Sequence, residues 1–284
     1  YDSGSMPFAQ HHYPFENKEL FENGGFPADY ISEAIDQTRG WFNSLHQIGT
    51  MVFDSVAYKS VICAGHFLDE KGQKMSKSKG NVIDPLGIID ELGADPLRFT
   101  MAILSGTRDI KLSKQRIEGY RNFGTKLWNA ARFSQMNEAR RVEGFDPAPV
   151  EQTINRWIRG ELTKAERQVS ESIEGGRFDD AASALYRFVW NVFCDWYLEL
   201  IKGAIDDETK AVAGWVLDQI LVVLHPFMPF ITEELWHSLA PREHDLIVAR
   251  WVDVDAIPFD AEASADVDWL IGLVSDIDDT ALIT

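Results

Sequence analysis

An α/β layer architecture followed by an all-α helical bundle is the fold class predicted by this sequence of 284 residues. Three observations carry the expectation. Up to about Asp109, short apolar runs alternate with helical periodicity and with Gly and Pro punctuation, the mark of strands and helices in layers. Beyond Asp109, apolar residues recur at every third and fourth position, as on one face of a helix. No internal repeat or low-complexity tract interrupts either pattern.

In chain order, Tyr30 to Phe53 is expected to be helical at least in part, because Ile31, Ile35, Phe42, Leu45 and Ile48 recur at helical intervals. Val61-Ile-Cys-Ala64, β-branched and stopped by Gly65, reads as a short buried strand. Ile117, Tyr120, Gly124, Leu127 and Ala131 predict one long amphipathic helix. Gly144-Phe-Asp-Pro-Ala-Pro149 breaks the periodicity and reads as a linker. Phe178, Ala181, Leu185, Phe188, Val192 and Trp196 then form an apolar stripe, preceded by Gly175-Gly176 as a helix stop. Trp215 to Leu224 forms another, ended by Pro226, and Pro229 suits the first turn of the helix holding Leu235, Trp236 and Leu239. Three or four antiparallel helices of this kind make a bundle. The expected boundaries are 1–108 for the α/β part, 109–149 for a connecting helix and linker, and 150–284 for the bundle.

Composition narrows the class. Hydrophobic residues make up 45% and charged ones 25%, as in ordinary globular chains. No apolar run is long enough to span a bilayer and no secretory signal opens the sequence, so a membrane protein is excluded and the cytoplasm is the expected compartment. Cys63 and Cys194 lack metal-ligand spacing, so neither a disulfide scaffold nor a structural zinc is expected. With 27 basic against 45 acidic residues, the net charge of −18 disfavours a general nucleic-acid binder. The charge is unevenly spread, however. Nine carboxylates and no Lys or Arg lie between Val252 and Thr284, whereas Lys111 to Phe145 carries eight basic and three acidic residues. Lys71 to Lys79 carries four lysines and no acid. Such a field suits docking of one polyanion in one orientation.

The stretch most rich in chemistry is Gly72-Gln-Lys-Met-Ser-Lys-Ser-Lys-Gly-Asn81. Lys74 and Lys77 lie three apart, with small Ser76 and Ser78 between and around them and Gly72 and Gly80 as flanks. Two ammonium groups on a loop that can move are suited to closing on a phosphate chain. A solvated lysine loop is the plainer reading.

Lys74-Met-Ser-Lys-Ser78 matches the second signature of class I aminoacyl-tRNA synthetases. With Asn81-Val-Ile-Asp-Pro85 and Gly93-Ala-Asp-Pro-Leu-Arg98, the chain resembles the isoleucyl, valyl, leucyl and methionyl subgroup over nearly its whole length. Tyr1-Asp-Ser-Gly-Ser-Met-Pro-Phe-Ala9 and Asp36-Gln-Thr-Arg-Gly-Trp-Phe42 look isoleucyl-like. Arg108-Asp-Ile-Lys-Leu112, Glu118-Gly-Tyr-Arg-Asn122, Lys126-Leu-Trp-Asn-Ala-Ala-Arg132, Asn191-Val-Phe-Cys-Asp-Trp-Tyr-Leu-Glu199 and His225-Pro-Phe-Met-Pro-Phe-Ile-Thr-Glu-Glu-Leu-Trp236 look valyl-like. The resemblance implies the C-terminal half of a Rossmann-type catalytic domain followed by an anticodon-binding bundle. It implies ATP-dependent ligation of a branched-chain amino acid to its tRNA, with valine preferred because the valyl-like part is larger. Isoleucine and a non-catalytic tRNA-binding module remain the alternatives.

By the same resemblance, Lys74 and Lys77 would stabilise the transition state and the departing pyrophosphate. Met75, Ser76 and Ser78 would complete the ATP-binding loop. Glu33, Asp36, Gln37 and Trp41 would bind the aminoacyl-adenylate. On the amphipathic helix of the basic stretch Ile117, Leu127 and Ala131 face the core, so Lys114, Arg121 and Lys126 are the candidates to point outward to the tRNA backbone. The implied partners are tRNA for valine or isoleucine, the amino acid, and ATP as its Mg2+ complex. The sequence holds no His-x-Gly-His, the other class I signature, and Ala64 stands where related enzymes often carry His or Asn. A C-terminal part of a longer synthetase, inactive by itself, is therefore expected.

Overall fold

The computed structural model describes residues 1–69, 71–106 and 109–281. Arg108 and the side chain of Lys77, both singled out above, lie outside what is described, as do the side chains of Asp278 and Asp279 among the nine carboxylates. The chain divides into two compact units, Tyr1–Val82 with Thr107–Leu112, and Ile83–Gly106 with Ser113–Thr284.

In the first unit, β1 (Ala28–Ala34) leads through a short turn, Ile35–Arg39, into α1 (Trp41–Phe53) and on to β2 (Tyr58–Ala64). β1 and β2 pair in parallel, from Ala28 opposite Tyr58 to Ala34 opposite Ala64. Parallel neighbours need a crossover rather than a tight turn, and α1 supplies it. The helix expected from Tyr30 therefore begins only at Trp41. Ile31 faces Val61 in the strand register, and the Ser32 hydroxyl donates to the Ile62 carbonyl at 3.1 Å. Pairing has overridden the helical spacing of Ile31 and Ile35, while Phe42, Leu45 and Ile48 do form the buried face of α1. β2 is longer than expected and is not buried, with Val61 40% exposed and Cys63 exposed. Among the described residues its sheet has only two strands, so one edge of β2 is unpaired. After Gly65, β3 (His66–Leu68) pairs in parallel with β4 (Asp109–Lys111).

Among its described residues the regular elements of the second unit are all helices. It comprises α2 (Pro85–Leu92), α3 (Ala94–Ile103), α4 (Lys114–Met136), α5 (Thr153–Glu174), α6, α7 (Asp207–Leu224), α8 (Pro229–Leu239) and α9 (Ala261–Ala281). α6 is continuous over Phe178–Tyr186, Arg187–Tyr197 and Leu198–Leu200. The units part elsewhere than at the sequence boundaries of 108 and 149, because α2 and α3 join the bundle. The reason is aromatic: Phe99 of α3 lies 5.0 Å from Tyr120, 5.2 Å from Phe123 and 6.4 Å from Phe227, ring centre to ring centre.

The long helix is α4, with Ile117, Leu127 and Ala131 buried as expected. α5 stops at Gly175 and Gly176, the latter at φ 69°. Pro229 occupies the first turn of α8. The stripe along α6 departs from expectation at its midpoint. Arg187–Tyr197 is π-helical, and its wider turn rotates the inward face. Val189, Phe193 and Tyr197 are buried there, while Val192 and Trp196 are only half-buried.

Inside the bundle a polar network is fully paired. Tyr197 donates to the Asn155 side-chain oxygen at 2.9 Å, and the Asn155 amide donates to Glu208 at 2.9 Å and to the Thr209 hydroxyl at 3.1 Å. Glu208 also accepts the backbone N–H groups of Glu151 and Gln152, each at 3.0 Å. A second joint links the stretches around Asp95 and His225. The Asp95 carboxylate accepts the N–H groups of Phe230 (3.2 Å) and Ile231 (2.7 Å) at the start of α8. Arg98 donates to the Pro226 carbonyl at 3.2 Å. Asp95 thus caps a helix distant in sequence, and burial pushes its carboxyl above the usual range.

Two outcomes follow. Asn155→Ala strands the Tyr197 hydroxyl and leaves the Glu208 carboxylate with only its two backbone donors, and urea denaturation of the helical unit should register a loss of about 1–3 kcal/mol. Both cysteines are free, Cys63 exposed and Cys194 buried, with burial pushing the Cys194 thiol up to about 12. A thiol reagent at neutral pH should therefore modify Cys63 alone in the native chain and both after denaturation; rapid modification of Cys194 would contradict the packing.

Candidate functional site

The predicted site residues of the first unit gather around the carboxyl ends of parallel strands, where open α/β sheets bind ligands. Glu33 is the last residue but one of β1, opposite Cys63, and it is exposed. Asp36 and Gln37 follow in the turn. The Gln37 side-chain oxygen accepts the Trp41 backbone N–H at 2.9 Å, starting α1, and the Trp41 indole N–H donates to the Ser3 carbonyl at 2.9 Å. Gln37 and Trp41 are thereby held by local structure, while Asp36 stands at the surface.

The lysine loop grows out of β3. Met75 N–H donates to the Phe67 carbonyl at 3.0 Å, and Lys74 bridges to Leu68 in antiparallel fashion, so the signature begins as a return strand. Gly72 (φ 78°) and Gly80 (φ 65°) occupy the left-handed region, which explains the glycines at both flanks. Between them the Ser76 and Ser78 hydroxyls lie 3.2 Å apart, and a single 3-10 turn covers Lys77–Lys79.

Three groups not singled out as site residues complete this region. His66 lies between two predicted sets: its Nε2 is 3.4 Å from the Lys74 ammonium and its Nδ1 is 4.0 Å from an Asp36 carboxylate oxygen. With Nε2 unprotonated, the ammonium donates to it, and Asp36, His66 and Lys74 form one line. Lys111 of β4 lies against Gly72, where an added Cβ would sit 3.4 Å from the Lys111 Cε. Asp69 accepts the N–H groups of Lys71 (3.0 Å) and Gln73 (2.7 Å) and the Asn81 side-chain amide (2.9 Å). The hydrogen bonds from Asn81 and then Gln73 hold the Asp69 carboxyl below the usual carboxylate range. His66 comes near Lys74 through the return of the loop along β3, and Lys111 comes near the loop through the β3–β4 pairing.

The three basic residues expected to meet tRNA lie in the second unit, on α4. Lys114 pairs with Glu91 at 2.6 Å, which raises its ammonium above the ordinary value. Lys126 pairs with Asp195 and stands 4.1 Å over the Trp190 ring. Arg121 is exposed, lines an apolar hollow of about 610 Å³ with Trp128 and Phe230, and makes no ion pair among the described residues. Elsewhere in that unit Glu233, His237 and Asp245 converge, with the His237 Nε2 3.1 Å from each carboxylate, a histidine bridged between two acids.

A signature loop of lysines and serines beside parallel strand ends, followed in sequence by an all-α bundle, defines a class. Residues 1–113 match the family of tRNA synthetases class I (I, L, M and V), and residues 155–282 match the anticodon-binding domain of tRNA ligase. The chain belongs to these class I tRNA synthetases. It is 51% identical to the valine--tRNA ligase of Caulobacter vibrioides, over 98% of this chain and 32% of that protein. It is 49% identical to that of Rhodopseudomonas palustris, over 88% and 27%, and 46% identical to that of Zymomonas mobilis, over 98% and 32%. The chain thus spans about a third of the length of these curated relatives. The isoleucyl reading is not favoured by them. Among solved structures, LeuRS of Agrobacterium radiobacter K84, in a ternary LeuRS-tRNA-LeuAMS complex, shares the fold with a TM-score of 0.70 at 22% identity. The match covers 81% of this chain and 29% of that one. Among the described residues no helix is long and apolar enough to cross a membrane.

The loop conformation itself is open to test. No atom lies within 4 Å of a Cβ added at Gly80, so Gly80→Ala meets only the left-handed backbone cost of about 1–2 kcal/mol, partly offset by a stiffer unfolded chain. Denaturant unfolding of the first unit should show a net loss of about 1 kcal/mol, and an unchanged midpoint would mean the loop is not held in this form.

Proposed function

We propose that the chain carries the ATP-activating lysine loop and the anticodon-binding bundle of a valine--tRNA ligase, an enzyme that joins valine to its tRNA in the cytoplasm. The observation that carries this reading is the Lys74-Met-Ser-Lys-Ser78 loop, anchored on β3 beside the Asp36–His66–Lys74 line. The valine carboxylate attacks the α-phosphate of ATP, pyrophosphate leaves, and the adenylate passes its acyl group to the terminal adenosine of tRNA. Lys74 and Lys77 neutralise charge on the phosphates as pyrophosphate departs, with Met75, Ser76 and Ser78 shaping the loop around them. Glu33, Asp36, Gln37 and Trp41 border the adenylate. ATP enters as its Mg2+ complex. The identity to valine--tRNA ligases supports valine over isoleucine.

In the natural polypeptide that contains this chain, ATP–pyrophosphate exchange should depend on valine. Lys77→Ala should lower its rate on the order of 100-fold, about 3 kcal/mol, with little change in the valine KM, because the contact forms chiefly in the transition state. Exchange that prefers isoleucine, or a rate insensitive to the substitution, would refute the assignment.

For tRNA, Arg121 is the strongest of the three candidates on α4, since Lys114 and Lys126 already have carboxylate partners. Arg121→Gln should weaken cognate and non-cognate tRNA alike and flatten the salt dependence by about 0.7–0.9 log units. Lys114→Gln and Lys126→Gln should change it less. Equal affinity and slope for all three variants and the parent protein would mean that RNA docks elsewhere.

A further inference from the structure

We propose that Asp69 and Asn81 are positioning residues for adenylate formation. Together they form a clasp that holds the backbone from Lys71 to Ser76, and with it the signature lysines, in the geometry the phosphates of ATP require. The proposal rests on the synthetase reading given above.

The clasp is closed at both ends of the loop. One Asp69 oxygen accepts the N–H groups of Lys71 and Gln73, at 3.0 and 2.7 Å. The other accepts the Asn81 amide at 2.9 Å. The Asn81 side-chain oxygen in turn accepts the Ser76 N–H at 3.0 Å, and its amide also reaches the Lys74 carbonyl at 3.4 Å. Two side chains twelve residues apart thereby tie down the backbone on either side of Lys74 and Met75.

The loop needs such a device. Four lysines and no acid lie between Lys71 and Lys79, so its charges repel one another. Lys71, Lys74, Ser78 and Lys79 are exposed, and Met75 is the only strongly apolar side chain in that span. A loop with little apolar burial opens at small free-energy cost. The Asp69 anion opposes the repulsion, and its hydrogen bonds specify the path of the chain. An ammonium displaced by about 1 Å from a phosphate can lose on the order of 100-fold in rate.

Polarity decides the test. Asp69→Asn turns an amide toward the Asn81 amide, and Asn81→Asp turns a carboxylate toward Asp69; either breaks the pair. Combining the two substitutions reverses donor and acceptor while leaving every backbone N–H an oxygen to bind. In the natural polypeptide carrying this chain, each single variant should lower kcat for valine-dependent ATP–pyrophosphate exchange by about 10- to 100-fold, with the valine KM within about twofold. The double variant should recover to within about threefold of the parent. In the 284-residue chain, amide hydrogen exchange at Gln73 and Ser76 should rise about tenfold or more in the single variants and fall back in the double. Single variants with parental kcat, with or without faster amide exchange, overturn the positioning role, and so does a double variant no better than the singles. A parent protein that fails to exchange with any amino acid overturns the synthetase reading and this role together, whereas loss of the kcat effect alone overturns only the role.

Discussion

The first unit depends on the parallel pairing of β1 with β2, in the register that sets Ala34 opposite Ala64. Side chains alternate along a strand, so a slip of one residue would turn Glu33 to the other face and break the Ser32–Ile62 bond. The same register brings the turn holding Asp36 level with Gly65 and the start of β3. Parallel pairing requires a crossover, and α1 is the helix that meets the requirement. Its first N–H is capped by Gln37, so one residue both belongs to the predicted pocket and starts the helix. Local stability and site geometry are therefore coupled at the same few residues.

The helical unit obtains a single arrangement in another way. Most of its core is apolar, which drives collapse without selecting one packing. The buried Asn155–Tyr197–Glu208 network adds direction, since each partner is satisfied only when α5, α6 and the start of α7 meet in one alignment. Asp95 does the same between α3 and α8. Residues that look like parts of family motifs, in the stretches Gly93–Arg98 and His225–Trp236, thus also serve the architecture by forming one joint within the bundle.

Charge is organised on two scales. The chain as a whole is acidic at −18, and lysines on α4 are partly neutralised by Glu91 and Asp195. Exposed pairs of this kind contribute little stability, about 0–1 kcal/mol, but they change which cations are available to a polyanion. On the shorter scale the signature loop carries four lysines from Lys71 to Lys79, anchored by Asp69, which is hydrogen-bonded to the Lys71 and Gln73 N–H groups and the Asn81 amide. Lys71, Lys74 and Lys79 are left exposed.

The sequence by itself determined the fold class, the long helix α4, the helix stop at Gly175-Gly176, the helix start at Pro229, and the signature loop with its glycine flanks. Each is written in local terms: a period of three and four, a residue lacking a Cβ, a ring without an N–H. Tertiary structure decided the rest. Ile31 and Ile35 fit a helical period, yet the pairing of β1 with β2 made them strand and turn. The stripe on α6 rotated where π-type hydrogen bonds widened the helix. Lys114 and Lys126 read as free cations, yet their acid partners lie 23 and 69 residues away in sequence. His66, Asp69, Lys111 and Asn81 carry no local signal of a shared role. Only the return of the chain from β3 through the loop, and the pairing of β3 with β4, brings them around Lys74, because hydrogen bonds and charges act across space regardless of sequence separation.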